Sequence, residues 1–173
     1  VCAVFLAPVR TAPAQDSREY QLKAVLLLNL VRFVEWPSSA FKDTNAPVTI
    51  GVLGDDPFGP LLDQACRDEK INDRRIAITR CASVNEATNC HLLFVCASER
   101  QEFENINTRL ANMPVLTVSD TEGFIRSGGI VRLYTQPDHE IKLRVNTEAA
   151  KSAGLTVSAK VLRLAEVAHR DDD

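Results

Sequence analysis

Polar residues that could do chemistry sit just after three apolar runs. Gly54, Asp55 and Asp56 follow VTIGVL, Ser98 and Glu99 follow LLFVCA, and Ser119 and Asp120 follow PVLTV. If the runs are parallel strands, these turns gather at the carboxyl edge of one sheet, where open α/β sheets hold ligands. Carboxylates beside helix N-termini could hold a divalent cation there, as a receiver domain holds magnesium. The same residues also have an ordinary backbone reading: Asp56 caps a helix, Glu99 sits in a first helical turn and Asp120 in a bend. No lysine is placed by the sequence to complete a receiver-like phosphoryl-transfer set. A small-molecule ligand at this edge is therefore an alternative expectation, with no cofactor and no metal.

Other catalytic patterns fit less well. The stretch GFIRSGG, Gly123 to Gly129, lacks the Gly-Lys-Ser/Thr ending of a phosphate loop, and no helix is expected after it. His91, His139 and His169 fall at a strand start, in a hairpin turn and in the tail, away from any strained Ser or Cys elbow. Cys90-His91 has no second ligand pair at zinc spacing. No catalytic residue is assigned, and the chain is read as a non-enzyme.

The elements that must position these residues follow from periodicity. Val48–Leu53 is a β-branched run between Pro47 and Gly54, suited to a strand buried on both faces. Asp56 and Pro57 then open a helix whose inner face is Leu61, Leu62 and Ala65. Ahead of this unit, residues 17–35 read as a helix capped by Ser17 and ended by Trp36-Pro37. Its apolar residues exceed one stripe, so Leu26, Leu30 and Phe33 are either core or a contact with another chain. Further strands are expected at 76–79, 92–95 and 115–118, with one helical turn at 83–88 and a helix from about Glu99 to Ala111 capped by Ser98. Residues 130–134 and 141–145 make a hairpin, 147–153 a helix ending at Gly154, and Ser158 caps a last helix carrying Val161, Leu162 and Leu164. The expected fold class is α/β: a single three-layer domain with a mostly parallel central sheet, helices on both faces and a C-terminal antiparallel hairpin.

With 173 residues, 45% hydrophobic and 25% charged, the chain can bury one core without staples. A net charge of -3 with scattered Lys and Arg gives no footprint for nucleic acid. Residues 1–14 join an apolar run to Ala12-Pro13-Ala14 and read as the remnant of a signal peptide cleaved after Ala14. A lipoprotein anchored at Cys2 is the rival reading, weakened because Cys2 precedes the apolar run. The folded domain is expected over 17–168, with a disordered tail at 169–173.

Export would remove Cys2 and leave Cys66, Cys81, Cys90 and Cys96 in an oxidising compartment, where four thiols allow three pairings. Cys90 and Cys96, as the ends of one strand, would lie about 20 Å apart at ~3.3 Å per residue, beyond disulfide reach. A right-handed parallel layout sets Cys66 beside Cys90 near one end of the sheet and Cys81 beside Cys96 near the other. A Cys66–Cys90 bridge is thus expected, with buried free thiols as the standing alternative.

Four blocks resemble the YfiR family of exported bacterial proteins. They are YQLKAVLLLNLVRFVEWP, VTIGVLGDDPFGPLL, CHLLFVCASE, and PVLTVSDTEGFIRSGGIVRLY running into RVNTEAAKSAGLTVSAKVLRLA. Their order and spacing cover Tyr20 to Ala165. The resemblance implies a periplasmic repressor that binds the sensor region of an inner-membrane signalling protein, a diguanylate cyclase, and holds down cyclic di-GMP synthesis. A homodimer and a small ligand are further expectations it brings. Apolar residues left exposed on the first or last helix, Leu26, Leu30, Phe33, Val161 and Leu164, are the candidate partner surface. Gly51 stands where some members carry a Cys that pairs with the counterpart of Cys90, so that bridge cannot form here. Cys96 stands where a Ser is usual, and Asp73 replaces a Gly before Arg74.

Overall fold

Short apolar runs bounded by turn residues become the strands of one sheet in the computed structural model, which describes residues 14–169. All of the expected leader at 1–14 but its last residue, and the last four residues of the expected tail, lie outside the described residues; Ala14, after which cleavage is expected, opens the first helix. Helix α1 is Ala14–Phe33, and the chain then runs through β1 Val34–Glu35, β2 Val48–Leu53, α2 Pro60–Cys66, β3 Lys70–Ile71 and β4 Arg74–Cys81. Next come α3 Val84–Ala87, β5 Leu92–Val95, a 3₁₀ turn Ala97–Glu102, α4 Phe103–Leu110, β6 Leu116–Ser119, β7 Val131–Thr135 and β8 Ile141–Val145. The domain closes with α5 Thr147–Ser152, β9 Thr156–Val157, α6 Ala159–Leu164 and β10 Ala165–Val167.

The strands lie in the order β10-β8-β7-β6-β5-β2-β4-β3. Pairing is parallel from β4 through β2, β5 and β6 to β7, and again between β8 and β10. It is antiparallel in the β7–β8 hairpin and between β3 and β4. The architecture is therefore α/β with a mostly parallel sheet, as the βα alternation implies. A separate two-stranded clip pairs Val34 with Val157 antiparallel. The two-residue strands β1, β3 and β9, and the edge strand β10, are too short or too polar to carry a period, so pattern alone does not reveal them.

Alternation along the central strands covers both faces. Leu92 and Phe94 join α1, α2 and α6 in one apolar cluster, whereas Leu93 and Val95 join α3 and α4 in the other. Strand β2 follows the same rule, with Val48, Ile50 and Val52 on the first face and Leu53 on the second.

Three local expectations are corrected. Ser17 lies within α1, which opens at Ala14, and so does not cap it. Helix α2 starts at Pro60 with Gly59 as its cap, not at Pro57, because the Asp56 carboxylate accepts the Phe58 N–H at 2.8 Å and makes a turn first. The run after Ser98 begins as a 3₁₀ turn, and no side chain caps it. Asn146 and Ser158 do cap their helices, accepting from the N–H groups of Ala149 and Val161.

The cysteines follow the faces of the sheet. All four in the described residues are buried free thiols. Cys66 packs in the α1 and α2 cluster and Cys90 in the opposite one, so the sheet itself separates the pair expected to bridge. Cys90 instead faces Cys81, with the two sulfurs 3.9 Å apart. A thiol's neighbours are thus set by the face of the sheet it takes and not by its height along the strands alone.

Candidate functional site

The turns at the carboxyl ends of β2, β5 and β6 carry the polar residues singled out by sequence. Gly54 has φ +98°, and a Cβ there would stand 2.3 Å from the Ser98 hydroxyl oxygen. Glycine is thus required both by the backbone and by the close approach of the next turn. That approach lets the Asp55 N–H donate to Ser98 Oγ at 2.9 Å, while Ser98 Oγ lies 3.4 Å from a Glu99 carboxylate oxygen. Gly54, Asp55, Ser98 and Glu99 are therefore brought together.

The other carboxylates are held by cations. Asp56 accepts from Arg80 Nε at 3.0 Å, and the same guanidinium reaches Asp63 at 2.6 Å and the Gly59 carbonyl at 2.9 Å. Hydrogen bonds from Arg80 hold the Asp63 carboxyl below its usual range. Asp120 is gripped from α1: its Oδ2 lies 2.6 Å from Lys23 Nζ and accepts from the Tyr20 hydroxyl at 2.9 Å. Lys23 is 4% exposed and also pairs with Glu19 at 2.6 Å, one helical turn back. Thr135 donates to Glu19 at 2.9 Å. Burial and the adjacent Asp120 charge raise the Tyr20 hydroxyl pKa. For Glu19, burial acts upward, but hydrogen bonds from Lys23 and Thr135 prevail and lower its pKa. Ser119 is fully buried, donating to the Val95 carbonyl at 2.7 Å and accepting from the Thr121 N–H.

A lysine thus does reach this edge, contrary to the sequence reading, but it lies against a carboxylate as a buried tie between α1 and β6. The signal was a charged residue inside the apolar face of α1, between Tyr20 and Ala24. Arg80 was also missed, since its value lies in two partners more than fifteen residues upstream. Among the described residues, no group of three or more His, Cys, Asp or Glu could hold a metal ion. Two larger cavities, of about 630 and 590 Å³, lie elsewhere: one among Arg18, Thr135 and His139, the other among Lys42, Thr49 and His91. Burial lowers the pKa of His91, which stacks on Phe41 at 4.5 Å and accepts the Thr49 N–H at Nδ1.

The candidate partner residues divide. Leu30 and Val161 are largely buried, at 2% and 7% exposed, where α6 packs back on α1, and they form the floor of a groove there. Leu26 and Phe33 are half-buried, and Leu164 is 75% exposed. Together they line a shallow apolar groove between α1 and α6. Leu22, Val25 and Val167 add exposed apolar area on α1 and β10 that the sequence reading did not select. No helix in the described residues is long and apolar enough to cross a membrane.

A mostly parallel sheet, with its polar edge tied by ion pairs and its first and last helices bearing exposed apolar side chains, defines the class: an α/β domain. Residues 20–166 match the model of the YfiR/HmsC-like family, and the chain belongs to that family. The family is one of periplasmic regulators of diguanylate cyclase signalling and is generally regulatory, not catalytic. No curated protein matches the chain. Among solved structures, a conserved domain protein from Vibrio cholerae O1 biovar El Tor strain N16961 is similar, with 12% identity over 84% of this chain and a TM-score of 0.56. This chain spans 58% of that one, and at such identity the likeness shows the fold alone.

Proposed function

We propose that this chain is a non-catalytic periplasmic regulator, exported by a cleaved signal peptide, that binds the sensor region of an inner-membrane diguanylate cyclase and represses it. Membership of the YfiR/HmsC-like family over residues 20–166 carries the reading. The apolar groove that Leu26, Phe33 and Leu164 line between α1 and α6 supports it, since contiguous apolar surface outside a core marks contact sites. Binding represses if the partner's inactive state is bound more tightly, because a ligand shifts an equilibrium only by its differential affinity.

The test is capture of membrane signalling proteins encoded beside this chain, with cyclic di-GMP measured in a deletion strain. A captured cyclase and a rise in cyclic di-GMP support the reading; no specific partner and an unchanged level overturn it. Sedimentation of the pure protein separates partner capture from a homodimer formed through the same groove. Small-molecule sensing at Gly54, Asp55, Asp56, Ser98, Glu99, Ser119 and Asp120 is the weaker reading, because Asp56 is engaged by Arg80 and Asp120 by Lys23 and Tyr20. A thermal-shift screen with nucleotides, amino acids and metals tests it, with Asp55→Asn as the control.

A further inference from the structure

Cys81 ends β4 and Cys90 stands just ahead of β5, and the face of the sheet that carries α3 brings their sulfurs to 3.9 Å. Both residues are buried, at 6% and 4% exposed. The space they share exists because position 51 has no side chain: a Cβ on Gly51 would lie 2.5 Å from Cys90 Sγ and 3.3 Å from Cys81 Sγ. Cys66 and Cys96 pack on the other face and meet neither.

We propose that Cys81 and Cys90 form an intramolecular disulfide when the chain matures in an oxidising compartment, pinning the β4–α3–β5 connection to the sheet. A disulfide holds its sulfurs about 2.05 Å apart, so closure asks for roughly 2 Å of movement. Because β2 lies between β4 and β5, side-chain rotation alone does not suffice, and part of the movement must come from the backbone of the connection at 82–89.

The chemistry is thiol–disulfide exchange with a small-molecule or protein disulfide as oxidant. The Cys81 thiolate attacks one sulfur of that disulfide and releases the other as a thiolate. The Cys90 thiol then loses its proton to water and attacks the Cys81 sulfur, expelling the second oxidant thiolate. Two electrons pass to the oxidant, which ends as two thiols. The pair is suited to these roles. A hydrogen bond from the Cys90 S–H lowers the Cys81 pKa, whereas Cys90 itself is raised by that hydrogen bond and by burial. Burial pushes Cys66 up to about 11 and Cys96 up to about 12, which leaves them poor in thiolate. The bridge depends on no partner, so its fate and that of the proposed regulatory role are separable.

The experiment refolds the full chain in mixed oxidised and reduced glutathione, traps free thiols with iodoacetamide under denaturing conditions, and weighs the product. Oxidised wild type should retain three alkylated cysteines of its five. Cleavage after Glu86 should leave the Cys81 and Cys90 peptides joined until a reductant is added. Cys81→Ser and Cys90→Ser should each keep all four remaining thiols reactive. The double variant Cys66→Ser/Cys96→Ser, which retains both proposed partners, should still lose two, and it decides the matter even if the single variants misfold. Reduction should lower the melting temperature of wild type by roughly 5 °C or more, from the closure of a short loop. Five reactive thiols in the oxidised wild type, or a bridge containing Cys66 or Cys96, would overturn the proposal.

Discussion

Lys23 is the most informative residue to perturb, because one buried cation sits between two carboxylates. In Lys23→Met the apolar stem is kept and the charge is lost, leaving Asp120, whose side chain is 10% exposed, without its ion pair. Removing one member of a buried pair costs about 3–5 kcal/mol, since the remaining charge is left unpaired. Glu19 adds little to that figure, because its side chain is 29% exposed and water screens it. In a domain of this size each kcal/mol moves the melting temperature by about 2–4 °C, so the variant should melt roughly 10 °C lower at pH 7.5. Adding Asp120→Asn to Lys23→Met should recover part of the loss, because the stranded charge is then removed. Urea denaturation of wild type and the two variants provides the measurement. A loss below about 1 kcal/mol, or no recovery in the double variant, would show that the tie between α1 and the turn after β6 does not bear on stability.

Other expectations are simpler. Gly51→Ala should destabilise by about 1–3 kcal/mol by overpacking, as its Cβ would meet the Cys90 sulfur at 2.5 Å; a neutral result in urea denaturation would contradict the packing of that face. Leu164→Glu should leave stability within about 0.5 kcal/mol while weakening partner capture on the order of tenfold or more, and capture at wild-type strength would exclude the α1–α6 groove. His91 has a folded-state pKa lowered by burial, beneath its unfolded value of about 6.5. The unfolded chain therefore binds the proton first, so His91's contribution is complete above pH 6.5 and is lost as pH falls through the folded value. His91→Asn should flatten the drop in stability between pH 7.5 and 5, read by thermal melts across that range.

The strands were legible where apolar runs had clear borders. Leu92–Val95 and Ile141–Val145 have the boundaries that composition implies, and Gly54 occupies the positive-φ turn expected of it. What the sequence concealed was sidedness. Whether Leu30 faces the sheet or solvent depends on α6 returning over α1, and whether Cys90 meets Cys66 or Cys81 depends on which face each thiol takes. Neither is a local property. The polar edge was half legible: its residues do gather at the turns, but the cations that engage them come from α1 and from the end of β4, too far away in the chain for any spacing rule to find.

The small clip joining Val34 to Val157 sets the order in which this chain can complete itself. The first helix packs early on α2 and the central strands, but α6 and the β9 half of the clip reach it only once residues 156–164 have been synthesised. A nascent chain halted before residue 156 lacks both, and leaves the α6-facing side of α1 uncovered.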